Sequence, residues 1–184
     1  MHPIALTRRT LLLATLAAAA GGARASVAPP EVAAELPDAR LVGSGRLRFL
    51  GLSVYDARLW AARTPAADDW AALPLALELE YARALVGRLI AERSIAEMRR
   101  VGPFDDARAQ RWQGQLTGII PDVQAGDRVT GVQRPGEATR FFVNARPVGE
   151  VRDAEFTRLF FGIWLAPQTS EPRLRDALLG SGRA

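Results

Sequence analysis

The chain has no cysteine and no lysine, and its single histidine is His2. Beyond that position no Ser-His-Asp or Cys-His nucleophilic scheme can be assembled, nor a zinc site built on those ligands. A Schiff-base lysine and a Walker lysine are excluded on the same ground. Gly43-Ser44-Gly45 lacks the third glycine and the following helix of a dinucleotide fingerprint, so it is set aside. What is left for chemistry is arginine, tyrosine, serine and threonine, carboxylates and backbone amides.

The first 25 residues read as an export signal rather than part of the fold. Arg8-Arg9 precedes an apolar run from Leu11 to Ala20, and Ala23-Arg24-Ala25 supplies a small-x-small cleavage site before Ser26. Thr7-Arg8-Arg9-Thr10-Leu11-Leu12 also resembles a twin-arginine signal; a Sec signal with a chance arginine pair is the competing reading. Either route implies a periplasmic destination. Without cysteine a lipoprotein anchor is excluded, and no later stretch is long and apolar enough to span a bilayer. The expected mature chain, residues 26–184, has 159 residues (184 − 25), enough for one domain with a substantial core. Three of the 24 basic residues and none of the 20 acidic ones fall in the signal, which leaves +1 (24 − 3 − 20). That balance is no nucleic-acid footprint.

Ser26–Asp38, with three prolines, reads as an N-terminal arm. Arg46–Phe49 and Leu52–Trp60 are predicted strands joined at Leu50-Gly51. Thr64–Leu73 reads as a loop with one helical turn near Trp70. Leu75–Tyr81 alternates strictly, with Leu75, Leu77, Leu79 and Tyr81 on one face and Glu78 and Glu80 on the other, so the sheet is expected to have one covered and one wet face. Amphipathic helices are predicted over Gly87–Val101 and Asp105–Ile119, strands over Arg128–Gln133, Thr139–Val143 and Pro147–Glu150, and helices from Asp153 through Leu165 and over Arg173–Leu179. This order makes a single α+β domain on an antiparallel sheet.

The first hairpin carries the main functional question. Arg46 and Arg48 lie two residues apart on a strand, among leucine, phenylalanine and tyrosine. Both can line the solvated face of an edge strand, or one can face a ligand carboxylate, which a guanidinium matches with two hydrogen bonds. Tyr55 and Tyr81, the only tyrosines, can each supply a hydroxyl or simply fill space.

GSGRLRFLGLSVYDARLW, LELEYARALVGRLIAERSIAEM, IIPDVQAGDR, RPVGEVRDAEF and FFGIWLAPQTSEPRLRDALLG, in that order from about Ala39 to Gly180, resemble the bacterial branch of the chalcone isomerase-like superfamily. The resemblance implies an open-faced β-sandwich: an antiparallel sheet covered on one face by helices, with an apolar cleft between. It implies one of two functions. Plant isomerases close a flavanone ring with a strand arginine, a hydroxyl residue, and a tyrosine and asparagine on the next helix. Fatty-acid-binding members hold a carboxylate with the strand arginine and a tyrosine. By that match Tyr55 stands where the isomerase has threonine, as in the binding branch. Ile90 replaces the helix tyrosine and Glu97 the asparagine. The arginine column falls on Leu47, between Arg46 and Arg48, and a one-residue shift on a strand changes the face.

The expected function is thus an exported small-molecule binding protein for a fatty acid or similar amphipathic carboxylate, held by Arg46, Arg48, Tyr55 and Tyr81. It implies no cofactor, metal or nucleic acid; no protein partner is identified and catalytic residues are unknown. An isomerase or lyase acting on an enone or enolate is the alternative. An accessory envelope protein with a vestigial cleft is the third, and it predicts large side chains filling the space between sheet and helices.

Overall fold

The computed structural model describes residues 27–180, so the export-signal reading lies outside the described residues. The elements are α1 (Pro30–Glu35), β1 (Arg40–Phe49), β2 (Leu52–Ala61), a 3-10 turn at Trp70–Ala72, β3 (Leu75–Tyr81), α2 (Gly87–Val101), α3 (Asp106–Ile119), β4 (Arg128–Arg134), β5 (Ala138–Val143), β6 (Arg146–Val151), α4 (Ala154–Leu165) and α5 (Pro172–Leu178). All six strands form one antiparallel sheet in the order β1-β2-β3-β4-β5-β6. The strands are consecutive neighbours even though α2 and α3 interrupt them between β3 and β4. The open-faced, helix-layered architecture expected from the sequence is the one observed.

Local signals account for the element ends. Asp105 caps α3 by accepting from the Arg108 amide at 2.7 Å, and Asp153 caps α4 by accepting from the amides of Glu155 and Phe156 at 3.0 Å. The Asp153 carboxylate also accepts from Trp112 Nε1 at 3.0 Å, which ties α3 to the start of α4. Gly43 and Gly45 have a packing reason. A Cβ on Gly43 would lie 2.2 Å from the Ala177 carbonyl oxygen, and one on Gly45 would lie 2.7 Å from a Leu174 methyl. The two glycines let α5 lie directly on β1, where a side chain would push it away.

The alternation of β2 and β3 sorts residues into two cores. Ala57, Leu59, Leu75, Leu77, Leu79 and Tyr81 face the layer of α2, α3, α4 and α5, where Met98, Trp112, Leu116, Phe156, Leu159 and Phe161 are buried. On the opposite face Trp60, Ala76, Val132 and Phe142 pack against Val32 of α1.

That second core corrects two expectations. Ser26–Asp38 is more than an arm, because Pro30–Glu35 is helical with proline in its first turn. Nor is the far side of β3 wet, since Glu78 is only 2% exposed. Its carboxylate accepts from Trp60 Nε1 at 2.9 Å and from Arg58 at 3.0 Å. Glu31 of α1, also buried, accepts from Thr130 Oγ1 at 2.8 Å and lies 3.3 Å from Arg128. Buried carboxylates persist there because each is paired and hydrogen-bonded.

Candidate functional site

Sheet and helices do not meet everywhere. Where the β1–β2 end of the sheet diverges from α2 and α4, a cavity of about 280 Å³ remains. Its floor is sheet: Leu47, Val54, Tyr55, Leu79, Tyr81 and Val129. Its roof is helix: Val86, Leu89 and Ile90 of α2 and its N-terminus, with Phe160, Ile163 and Trp164 of α4. Arg93, Ser94 and Glu97 of α2, with Ser170 and Glu171, supply the polar part of the lining. An apolar chamber with a few polar groups in its lining is the arrangement of a small-molecule site.

The start of α2 is fixed firmly. The Gly87 amide donates to Asp122 at 2.8 Å, and Leu85 pairs with Val123 in an isolated antiparallel bridge. The roof therefore has a defined height above the sheet at this end.

Inside, the two tyrosines meet edge to face with ring centroids 5.9 Å apart. They sit opposite each other in the β2–β3 register, so both rings leave the same face. The Tyr55 hydroxyl accepts from Trp164 Nε1 at 2.9 Å. The Tyr81 hydroxyl has no hydrogen-bond partner among the described residues. Burial pushes both phenols above the ordinary tyrosine range. For Tyr55 the Trp164 hydrogen bond opposes that shift, while the charges of Glu171 and Glu97 add to it. Both stay protonated at neutral pH, so each is a hydrogen-bond donor and neither is a base.

The strand arginines are elsewhere. Arg46 pairs through two hydrogen bonds, 2.6 and 2.7 Å, with Asp56 directly across the hairpin, and these hold the Asp56 carboxyl below the usual range. Arg48 is exposed, and neither residue lines the cavity. This corrects the expectation that one of them closes it. Leu47 takes the inward position opposite Tyr55, which turns Arg46 outward, and the register shifts between Leu47 and Arg48. Of the four candidates, the structure brings Tyr55 and Tyr81 together and leaves out Arg46 and Arg48.

The cation in the lining is Arg93, which sequence reasoning missed. Its guanidinium lies 2.6 Å from Glu97, which Arg100 approaches from the next turn at 3.6 Å. The signal was present in the spacing: Ile90, Ser94 and Glu97 recur at three and four residues, so Arg93 at the same helical edge reaches the mouth. Its side chain is 70% exposed while that of Glu97 is 10% exposed, so a largely exposed cation covers a buried carboxylate at the cavity mouth.

The family profile of chalcone isomerase-like proteins matches residues 31–180. The chain belongs to the chalcone isomerase-like family. Among curated proteins, an uncharacterized protein of Haemophilus influenzae is 28% identical over 111 residues, covering 60% of this chain and 54% of that protein. The chain thus matches about half the length of that relative. Among solved structures, the crystal structure of a fatty-acid binding protein of Arabidopsis thaliana aligns with a TM-score of 0.63 at 14% identity, over 78% of this chain and 88% of that one. At that identity the likeness concerns the fold, and it places the chalcone isomerase-like architecture beyond the reach of chance periodicity. Family membership makes the position of Leu47 informative: a chalcone isomerase-like chain here carries an apolar side chain at the inward site of its first strand.

Proposed function

We propose that this protein binds a small amphipathic carboxylate, a fatty acid or a similar acyl acid, in the cavity between sheet and α2/α4. The observation that carries the reading is an open apolar chamber with a few polar groups near Tyr55. Its enclosed tyrosines can donate hydrogen bonds, and a largely exposed arginine stands at its mouth. The fatty-acid binding protein among its structural neighbours supports the same class of ligand. The acyl chain lies over Leu79, Val129 and Phe160, and the carboxylate reaches Arg93, displacing Glu97, which Arg100 retains. Tyr81, with an unpaired hydroxyl, is the second donor. At 280 Å³ the cavity sits at the small end of ligand pockets, which favours short acyl chains over long ones.

A vestigial cleft predicts a filled interior, and the cavity argues against it. Ring closure on the plant pattern wants an arginine where Leu47 stands, so the isomerase reading has no observation in its favour. Export to the periplasm belongs to the same proposal and rests on the arginine pair and cleavage site before Ser26. Cell fractionation with N-terminal sequencing tests it, since a cytoplasmic product retaining Arg8 ends that part.

The decisive measurement is organic extraction of the denatured protein followed by mass spectrometry, paired with displacement of a fluorescent acyl carboxylate. Arg93→Ala is expected to weaken binding about tenfold, the value of one charge-assisted hydrogen bond. Thermal stability should fall modestly as well, because Glu97 is buried and keeps only Arg100 at 3.6 Å. No extracted acid together with no displacement sinks the proposal.

A further inference from the structure

The two-residue turn between β1 and β2 is unusual in its sequence. Leu50 has φ 49° and Gly51 φ 80°, the left-handed pair for which hairpins favour Asn-Gly or Asp-Gly. A leucine here costs conformational energy, and 87% of it is exposed, so it gains nothing from the core. The closing pair of the hairpin repeats the pattern, with Phe49 at 66% and Leu52 at 57% exposure. Two further exposed apolar side chains, Val86 and Leu89, lie on the cavity rim. They belong to the same end of the molecule: Leu47 and Val54, a few residues below the tip, line that cavity, and the Ala82 amide donates to the Val54 carbonyl at 2.9 Å.

Directly beside the tip the unpaired charge is positive, while the carboxylates farther along the rim, Asp122 and Asp127, are held by the amides of Gly87 and Gln124. Arg46 is neutralised by Asp56 and Arg88 by Glu92. Arg48 beside the tip and Arg83 before the rim are exposed and have no carboxylate partner among the described residues. The acidic members of the lining, Glu97 and Glu171, lie near Tyr55 with Arg93 between sheet and helices rather than on the tip. An apolar tip in a strained turn, flanked by uncompensated arginines, has the chemistry of a surface that enters a headgroup layer.

We propose that the Phe49–Leu52 hairpin tip docks this protein on a bilayer rich in anionic phospholipid, with the cavity mouth turned to the membrane. Docking stands on the tip alone. That the docked mouth exchanges an acyl ligand with the bilayer rests on the function proposed above. Each apolar side chain that leaves water contributes about tenfold in partitioning, and each arginine near an anionic surface about fivefold.

The lack of cysteine makes a local test clean. In the full chain, a polarity-sensitive dye is attached to Leu50→Cys, and in a control to Val148→Cys, exposed on β6 at the opposite edge of the sheet. Vesicles of phosphatidylcholine mixed with phosphatidylglycerol should blue-shift the dye at position 50 and not at 148, and added salt should weaken the effect. Leu50→Asn, in unlabelled protein, should lower sedimentation with those vesicles about tenfold while raising the melting temperature, because asparagine suits the turn. No shift at position 50, or an equal shift with phosphatidylcholine alone, overturns the proposal. So does a shift without vesicles that grows with protein concentration, which identifies a second copy as the occupant. Displacement of a soluble acyl probe should be unchanged in Leu50→Asn. If that displacement fails in the parent while the tip still enters the bilayer, only the cavity reading falls; the reverse result removes only docking.

Discussion

On the face of the sheet toward α2 and α4, Tyr55, Leu79 and Tyr81 look across open space at Ile90 and Trp164. On the opposite face, Trp60, Glu78 and Thr130 meet α1 through a charged network, with Arg58 and Arg128 between the carboxylates. The first face is packed away from the cavity by large buried apolar residues such as Trp112, Phe156 and Phe161, so the end beside Tyr55 can stay unfilled. The second is held by groups that lose their purpose if one partner goes. Arg128 Nε is already buried without a hydrogen-bond partner, 3.7 Å from Glu78. Ligand capacity is thereby confined to one face of the sheet, while buried paired charge is concentrated on the other.

If that division is right, removing one charge has its largest effect on stability on the side without the cavity. Glu78→Ala strands Arg58, Arg128 and the Trp60 indole N–H together, and it should cost about 3 kcal/mol, read in urea denaturation. Ligand affinity in the surviving folded fraction should be unchanged. A loss below about 1 kcal/mol breaks the comparison, because it means the apolar contact of Val32 with Trp60 and Phe142 holds that face alone.

Ile163→Trp tests the other side. Ile163 is half-buried and lines the cavity, so the larger ring has space to enter. Affinity for the acyl probe should fall at least about tenfold while stability changes by about 1 kcal/mol or less. A smaller effect belongs to the second α1 carboxylate. Glu35 pairs with Arg134 at 3.0 Å and with Arg140. Glu35→Ala should cost about 1 kcal/mol and should cost less in high salt, since both arginines are partly exposed.

How much of this was legible follows from the range of each interaction. Gly87–Val101 and the Asp153-capped helix could be read because periodicity and caps are local, and Leu75–Tyr81 because alternation is. The same alternation misled on Glu78, whose partners Arg58 and Trp60 lie on a neighbouring strand and whose cover comes from α1. Nothing in LELEY distinguishes a solvated glutamate from one roofed by a helix that precedes it by more than forty positions. Arg46 and Arg48 show a finer limit. A period of two told that they share a face but not which face, and a register shift at Leu47/Arg48 settled it. Arg93 escaped for a third reason: an arginine on a helix edge looks the same whether it borders solvent or a cavity mouth.

The least intrusive probe of the comparison uses pH. Because the chain's only tyrosines are the two in the cavity, phenolate absorbance reports on that face alone. Free tyrosine ionises near about pH 10, and burial raises both of these above that. A phenol whose folded pKa is raised keeps its proton in the native state when the unfolded chain has lost it. The unfolded state then binds fewer protons, so stability is intact below about pH 10 and declines as pH rises through and beyond that value. Arginine stays charged throughout, so the α1 face contributes no titration there. Phenolate should therefore appear only together with loss of secondary structure measured by circular dichroism. If either tyrosine ionises near its free value with the fold intact, the cavity is wetter than its lining implies. Bound acyl ligand should then displace that water and restore the delay.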